Sequence, residues 1–230
     1  MTIPTPLSEE EMSCYLELCA EYLLPALNKD QFEHIPDNRT KQLGQELQYR
    51  SGRCLAAYMQ FYSVGEELAT AHRMLARYPW HGTEITKVQH LETTWFLVQN
   101  LCYHFKEKAK LFFNEQKRVS KIYGVEQTDW IKNVLKEIDQ VMGEAIKDRG
   151  NTVHGWNSRV QETYFLSMIE VLEASPNNER DWDLGGHYED AKFNLRMKSE
   201  KYRDCAFSIL RRCFHDYNPS PTEIVTLFNE

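Results

Sequence analysis

The longest regular hydrophobic pattern in the chain lies between residues 88 and 112. Its apolar positions alternate in steps of three and four: Val88, Leu91, Trp95, Val98, Cys102, Phe105, Ala109 and Phe112. This heptad spacing places all of these side chains on one face of an α-helix. Because the pattern lasts more than three heptads, we expect a long helix packed at a shallow angle against near-parallel or antiparallel neighbours, as in a helical bundle.

Helical spacing of apolar residues recurs along most of the chain. It predicts further helices over residues 8–27, 38–78, 128–149, about 160–172 and 188–216. In the short fourth of these, the spaced positions are Val160, Tyr164, Met168, Val171 and Leu172. Polar residues, Gly and Pro separate the helices and predict loops at 28–38, 79–82 and 175–187. The sequence therefore predicts one all-α domain over residues 1–230, an up-and-down bundle of long helices.

Composition excludes several classes of protein. The net charge of −7 argues against a general nucleic-acid coat protein. No apolar run is long enough for a membrane span, and the first residues do not resemble a secretory signal, so we expect a cytoplasmic protein without membrane contact. The six cysteines form no C-x-x-C pair and are expected to be reduced. Phosphate-loop, zinc and di-iron spacings are absent, so no metal or cofactor is expected.

A short polar run, residues 148–156, interrupts the apolar pattern. The helix before it has a predicted buried stripe at Ile131, Val134, Leu135, Ile138, Val141, Met142 and Ala145. Four residues after Ala145 comes Arg149, so a guanidinium group falls on that stripe. Since a buried charge without a partner is costly, Arg149 should either meet a carboxylate or line a polar cleft that receives an anion.

Gly150 and Asn151 are expected to end this helix. Glycine can close a helix in the left-handed conformation, and asparagine is a good N-cap for the next one. Because residues five apart on an unbroken helix diverge by about 140°, the break would let Arg149 and His154 converge, in one subunit or across a dimer. If Asn151 caps, His154 lies in the first helical turn, where a neutral imidazole is favoured. Alternatively, the next helix begins at Ser158 and His154 lies in a loop.

A neutral histidine beside an arginine can serve as a general base acting on a phosphodiester. The arrangement Arg149-x4-His154, inside an all-helical chain, resembles the R-x(4–6)-H motif of the HEPN domain (higher eukaryotes and prokaryotes nucleotide-binding). The family often has a polar residue directly after the arginine, whereas here that place holds Gly150 and the polar residue is Asn151. The resemblance covers about residues 84–217, and residues 1–83 are left as an N-terminal helical part of unknown role.

This resemblance implies a fold, an activity and partners. Similar proteins are helical bundles, usually dimers, and many are metal-independent endoribonucleases of toxin–antitoxin, abortive-infection and CRISPR systems. The resemblance implies that His154 takes a proton from a ribose 2′-OH, that Arg149 binds the scissile phosphate and that Asn151 orients the phosphate or His154. The expected products are a 2′,3′-cyclic phosphate and a 5′-OH. The expected partners are RNA, a second copy of the chain and an antitoxin or other protein.

Candidate RNA-binding residues lie near this motif and on the heptad helix. The helix carries basic side chains along its C-terminal part: Lys106, Lys110, Lys117, Arg118 and Lys121. They form either a track for the RNA backbone or a solvated face with cations near the helix C-terminus. Trp156 either stacks on a base or belongs to the core.

An alternative interpretation gives Arg149 and His154 a purely structural role. They would then close a corner between two helices, with the arginine paired to a carboxylate such as that of Asp148. The protein would be a non-catalytic helical module that binds a nucleotide, RNA or another protein. Cleavage of RNA in the presence of a chelator distinguishes the two interpretations.

Overall fold

The computed structural model describes residues 38–77, 85–122, 128–153, 161–173 and 183–215. Five helices account for nearly all of them: α1 Asn38–Ala76, α2 Lys87–Ile122, α3 Thr128–Val153, α4 Gln161–Glu173 and α5 Leu184–His215. No β-strand occurs within these ranges, so the predicted all-α bundle is confirmed. No helix of the described ranges is both long and apolar enough to cross a lipid bilayer. The helix predicted over residues 8–27 and the turn at 79–82 lie outside the described residues.

The heptad positions of α2 form a buried stripe along the whole predicted pattern. None of the eight predicted side chains, from Val88 to Phe112, is more than 6% exposed. The predicted stripe of α3 is buried at Ile131, Val134, Ile138, Met142 and Ala145, each at most 2% exposed. Leu135 and Val141, predicted on the same stripe, lie at its two edges and are only half-buried. These two stripes are buried because a 3–4 spacing gathers apolar side chains on one side of a helix.

Contacts between Cα atoms divide the chain into two compact units. The described part of unit 1 comprises residues 38–63, 107–122, 128–136 and 207–215. Its core is aromatic: the ring of Phe113 lies 6.3 Å from that of Phe61 and meets the ring of Trp130 edge to face at 5.5 Å. Glu115 is 2% exposed, and its carboxylate forms ion pairs with Arg53 at 2.9 Å and with Arg118 at 2.6 Å.

The described part of unit 2 comprises residues 64–77, 85–106, 137–153, 161–173 and 183–206. In its core, the hydroxyl of Ser199 donates to the backbone carbonyl of Arg196 at 2.8 Å. That hydroxyl therefore accepts from Nδ1–H of the buried His72, also at 2.8 Å. Burial, and secondly the charge of Arg203, lower the pKa of His72, which agrees with a neutral imidazole in this hydrogen bond.

The cysteines of the described ranges are free thiols, as the sequence predicts. Cys102, Cys205 and Cys213 are buried, and Cys54 is half-buried. Burial, together with the neighbouring Cys205, raises the pKa of the Cys102 thiol. These thiols therefore pack as small apolar groups of the core.

α4 is apolar on more than one side. Its buried side chains are Thr163, Leu166 and Ile169. The positions whose spacing predicts this helix are instead exposed where the structure describes them: Tyr164, Met168, Val171 and Leu172. Since apolar residues surround α4, periodicity predicts the helix without showing which side packs inward.

The expected helix break at Gly150 and Asn151 is wrong, because α3 continues through both residues to Val153. Gly52 and Gly65 are likewise inside the unbroken helix α1. Glycine permits a left-handed turn but does not impose one. At Gly150 a Cβ atom would meet nothing within 4 Å, so the helix passes through this position without crowding.

Replacing Gly150 with alanine tests the continuity of α3. We expect Gly150→Ala to raise the free energy of unfolding by about 0.5–1 kcal/mol, because alanine loses less backbone entropy in a helix. Gly143→Ala is the matched control, since Gly143 also lies in α3 and its Cβ would meet nothing within 4 Å. Urea unfolding measures both. A loss of stability at residue 150 with a gain at residue 143 would contradict the continuous helix.

Candidate anion site at the carboxyl end of α3

Arg149 is held by an amide of α2. Its side chain is half-buried, and its Nε–H donates to Oδ1 of Asn100 at 3.1 Å. The Nδ2 of Asn100 in turn donates to the backbone carbonyl of Phe96 at 2.9 Å. Because this second bond fixes the amide, the oxygen of Asn100 is directed at the arginine. The hydrogen bond to Phe96 thus fixes the Asn100 amide, and this amide in turn fixes the orientation of the guanidinium group.

The ring of Tyr103 supports the same guanidinium. The Cζ atom of Arg149 lies 4.2 Å from the centroid of this ring, which is a cation–π arrangement. Asn100 and Tyr103 are three residues apart on α2, so one face of that helix presents both groups. Two contacts from one rigid helix hold the cation in place.

Neither of these partners carries a charge. Among the described residues, no carboxylate lies within 4.0 Å of the Arg149 guanidinium, and none accepts a hydrogen bond from its Nη groups. Arg203, by contrast, is buried in unit 2 and pairs with Glu200 at 3.1 Å and Asp204 at 2.7 Å. The expected meeting of Arg149 with a carboxylate such as that of Asp148 is therefore not found within the described ranges. Its positive charge is oriented there without being neutralised.

The other predicted residues of the motif are placed differently. Asn151 lies inside α3 and is half-buried, so the expectation that it caps the next helix is wrong. Two positions apart on a helix, side chains point about 160° from each other, which places Asn151 on the side away from Arg149. His154 and Trp156 lie outside the described residues. The bend expected to bring Arg149 and His154 together in one subunit is absent at residues 150 and 151.

The basic side chains proposed as an RNA track are largely paired with acids. In unit 2, Lys106 forms an ion pair with Asp139. In unit 1, Lys110 pairs with Glu107 at 2.7 Å, and the guanidinium of Arg118 pairs with Glu115. The remaining two, Lys117 and Lys121, are exposed. These pairs favour a solvated face of α2 over an RNA track, which stays a prediction.

The two residues that position Arg149 could not be recognised from the sequence. Asn100 and Tyr103 lie beside the heptad stripe of α2, where polar and amphipathic side chains are ordinary. They contact Arg149 because α3 packs against the part of α2 that contains Asn100 and Tyr103. This register between the two helices is defined only by the tertiary structure. Within the described ranges, no group of three His, Cys, Asp or Glu side chains is arranged to hold a metal ion.

Comparisons of this chain with protein-family models, curated proteins and solved structures find no match. The functional interpretation therefore rests on the residues and contacts described above. Among these, Arg149 is distinguished by having, within the described residues, only partners without a formal charge, Asn100 and Tyr103.

The stability of an Arg149 variant tests whether this side chain mainly supports the fold. We expect Arg149→Met to lower the free energy of unfolding by at most about 1.5 kcal/mol, because one hydrogen bond and one ring contact are lost. Arg73→Met is the control, since Arg73 is exposed and, among the described residues, donates to Thr70 of the same helix. A loss above about 3 kcal/mol, typical of breaking a buried ion pair, would show a structural role instead.

Proposed function

We propose that this protein is a metal-independent endoribonuclease of HEPN type that binds the scissile phosphate of RNA at Arg149. The observation that carries the proposal is an arginine on a buried stripe whose described partners, Asn100 and Tyr103, are both neutral. A guanidinium offers parallel N–H donors that match two phosphate oxygens. Because Asn100 accepts only from Nε–H and no described residue accepts from the two Nη groups, the proposal assigns these groups to the anion.

The proposed reaction is an internal transfer at phosphorus. His154 takes the proton of the ribose 2′-OH, and the 2′-oxygen attacks the adjacent phosphorus. The bond from phosphorus to the 5′-oxygen breaks, and this oxygen takes up a proton. Arg149 stabilises the negative charge that builds on the phosphate oxygens. The products are a 2′,3′-cyclic phosphate and a 5′-OH end.

In this proposal, the residue that positions Arg149 is Asn100 and not Asn151. Asn151 points away from Arg149 on α3, so an orienting role for it has less support than the sequence suggested. Asn100 takes the positioning role, because its amide fixes the guanidinium before any substrate arrives. Such preorganisation lowers the cost of ordering the arginine when the phosphate binds.

A second copy of the chain is part of the proposal. Since α3 is unbroken through Val153, no turn at residues 150 and 151 brings Arg149 and His154 of one chain together. We therefore propose that Arg149 of one subunit and His154 of its partner form each site. The site is complete only in the homodimer.

Cleavage of RNA in EDTA tests the proposed reaction. The wild-type protein should release 2′,3′-cyclic phosphate ends without added metal. His154→Ala should lower the rate by about 10²–10⁴-fold, the usual worth of general-base catalysis, and Arg149→Ala should also abolish most cleavage. The matched controls are His187→Ala and Arg73→Ala, which change exposed residues and should retain activity.

Mixing the two inactive variants tests the shared site. Dimers that combine an Arg149→Ala subunit with a His154→Ala subunit should regain one intact site and part of the wild-type activity. No recovery on mixing, with exchange of subunits demonstrated, would contradict the shared site. Unchanged cleavage by His154→Ala would contradict the mechanism itself.

The second candidate function is that of a non-catalytic binding module. The exposed apolar residues of α4 favour it, because such a surface is typical of protein–protein contacts. RNA bound in EDTA without cleavage, or no RNA bound at all, would favour this candidate over the nuclease.

A further inference from the structure

The reaction proposed above leaves one proton without a source. When the bond from phosphorus to the 5′-oxygen breaks, negative charge builds on that oxygen until it takes up a proton. A side chain that donates this proton in the transition state lowers the barrier to departure of the leaving group. Such a donor must lie close to the phosphate that Arg149 binds, and the neighbouring face of α2 contains one side chain of suitable chemistry.

His104 lies on the same face of α2 as the residues that hold Arg149. It follows Asn100 by four residues, so the two side chains point about 40° apart and are neighbours on the helix surface. Tyr103, three residues after Asn100, flanks the same direction on the other side, about 60° away. The face of α2 that meets the guanidinium group of Arg149 therefore includes an imidazole.

The ring of Tyr103 is a shared neighbour of the imidazole and the guanidinium group. Its centroid lies 4.2 Å from Cζ of Arg149 and 5.6 Å from the centroid of the His104 ring, which it meets edge to face. The imidazole and the guanidinium group therefore cannot be farther apart than these two distances combined. A phosphate that forms a hydrogen bond of about 2.8 Å at each side bridges a gap of this order.

The ring nitrogens of His104 are not engaged within the described part of the chain. The side chain is exposed, and among the described residues no hydrogen bond or ion pair involves its imidazole. The buried His72, by contrast, is hydrogen-bonded to Ser199. Histidine is the side chain most often used to pass a proton to or from a substrate near neutral pH. His104 therefore combines the position and the chemistry of a proton donor.

The register of α2 and α3 places His104 on a defined side of Arg149. Lys106 of α2 pairs with Asp139 of α3, whereas Asn100 meets Arg149, so the two helices are antiparallel here. The step from Asn100 to His104 therefore leads toward the middle of α3 and away from its carboxyl end. An in-line displacement at phosphorus needs its acid and its base on opposite sides. His104 thus lies on one of these sides, and the side toward the carboxyl end of α3 is left for the base.

We propose that His104 is the general acid of the Arg149 site and donates the proton that the leaving 5′-oxygen takes up. This role rests on the proposed ribonuclease activity, because it supplies the proton donor of that reaction. As His154 removes the proton of the 2′-OH, the 2′-oxygen bonds to phosphorus, and the electron pair of the breaking bond passes to the 5′-oxygen. That oxygen takes the proton of the protonated His104 ring. The base ends protonated and the acid neutral, and proton exchange with water restores both.

A sulfur atom in place of the leaving 5′-oxygen tests this role. Because a thiol is far more acidic than an alcohol, a thiolate leaves without receiving a proton. The substrates are two forms of an RNA that the wild-type protein cleaves, one with oxygen and one with sulfur at the leaving 5′ position. Cleavage by the full chain in EDTA is followed in single-turnover experiments, which measure the chemical step.

The informative variant is His104→Phe, since phenylalanine retains an aromatic ring beside Tyr103 but has no proton to donate. It should cleave the oxygen substrate about 10²–10⁴-fold more slowly than the wild type, the usual worth of acid–base catalysis, and the sulfur substrate at nearly the wild-type rate. His154→Ala should be slow on both substrates, because the 2′-OH must still lose its proton. The matched control is His187→Phe, since His187 is also exposed and its ring meets that of Phe165 edge to face at 5.3 Å. This control should cleave both substrates as the wild type does.

Three other outcomes overturn the role of His104, each for a different reason. Cleavage of the oxygen substrate by His104→Phe at the wild-type rate would show that another group supplies the proton. An equal loss on both substrates would show that His104 positions Tyr103 or the RNA and is not the acid. A wild-type protein that cleaves no RNA would contradict the proposed ribonuclease itself, and the role of His104 would be lost with it.

Discussion

The positive charge of Arg149 on the apolar stripe of α3 is the constraint on which the candidate site depends. Arg149 continues the spacing of Met142 and Ala145, both buried, and so it cannot simply extend into bulk water. The Nε–H of Arg149 donates a hydrogen bond to Asn100, and the ring face of Tyr103 lies against the guanidinium group. Both contacts orient the guanidinium, and neither cancels its charge. An oriented cation of this kind is suited to an anionic ligand.

The helices could be predicted from the sequence because burial imposes its own spacing. The heptad of α2 is buried as expected, and the stripe of α3 is buried except at Leu135 and Val141, which are half-buried at its edges. The end of α3 was predicted wrongly, because Gly150 tolerates a break without requiring one. On α4, apolar residues surround the helix, so spacing could not distinguish the packed side from the exposed side.

The candidate site could be predicted only in part. The position of Arg149 on a buried stripe follows from counting residues, and the structure confirms that the side chain is half-buried. Its partners are 46 to 49 residues away in sequence, and neither has a feature that distinguishes it from an ordinary surface residue of α2. The contacts between two long helices depend on the axial register of one helix against the other. Local spacing does not encode this register.

Unit 2 thus has two distinct features outside its core. The guanidinium group of Arg149 is held by Asn100 and Tyr103, whereas α4 exposes large apolar side chains on the side opposite Leu166 and Ile169. The proposed ribonuclease site uses only the first of these features.

The most direct measurement of the central claim is a titration followed by NMR at the arginine Nε–H groups. The ligand is a short RNA in which 2′-O-methyl groups prevent cleavage. The Arg149 resonance should shift and saturate, the exposed Arg73 should not, and Asn100→Leu should weaken the binding. An Arg149 resonance that stays unchanged while the RNA is present in excess would contradict the claim that this cation is held ready for a phosphate.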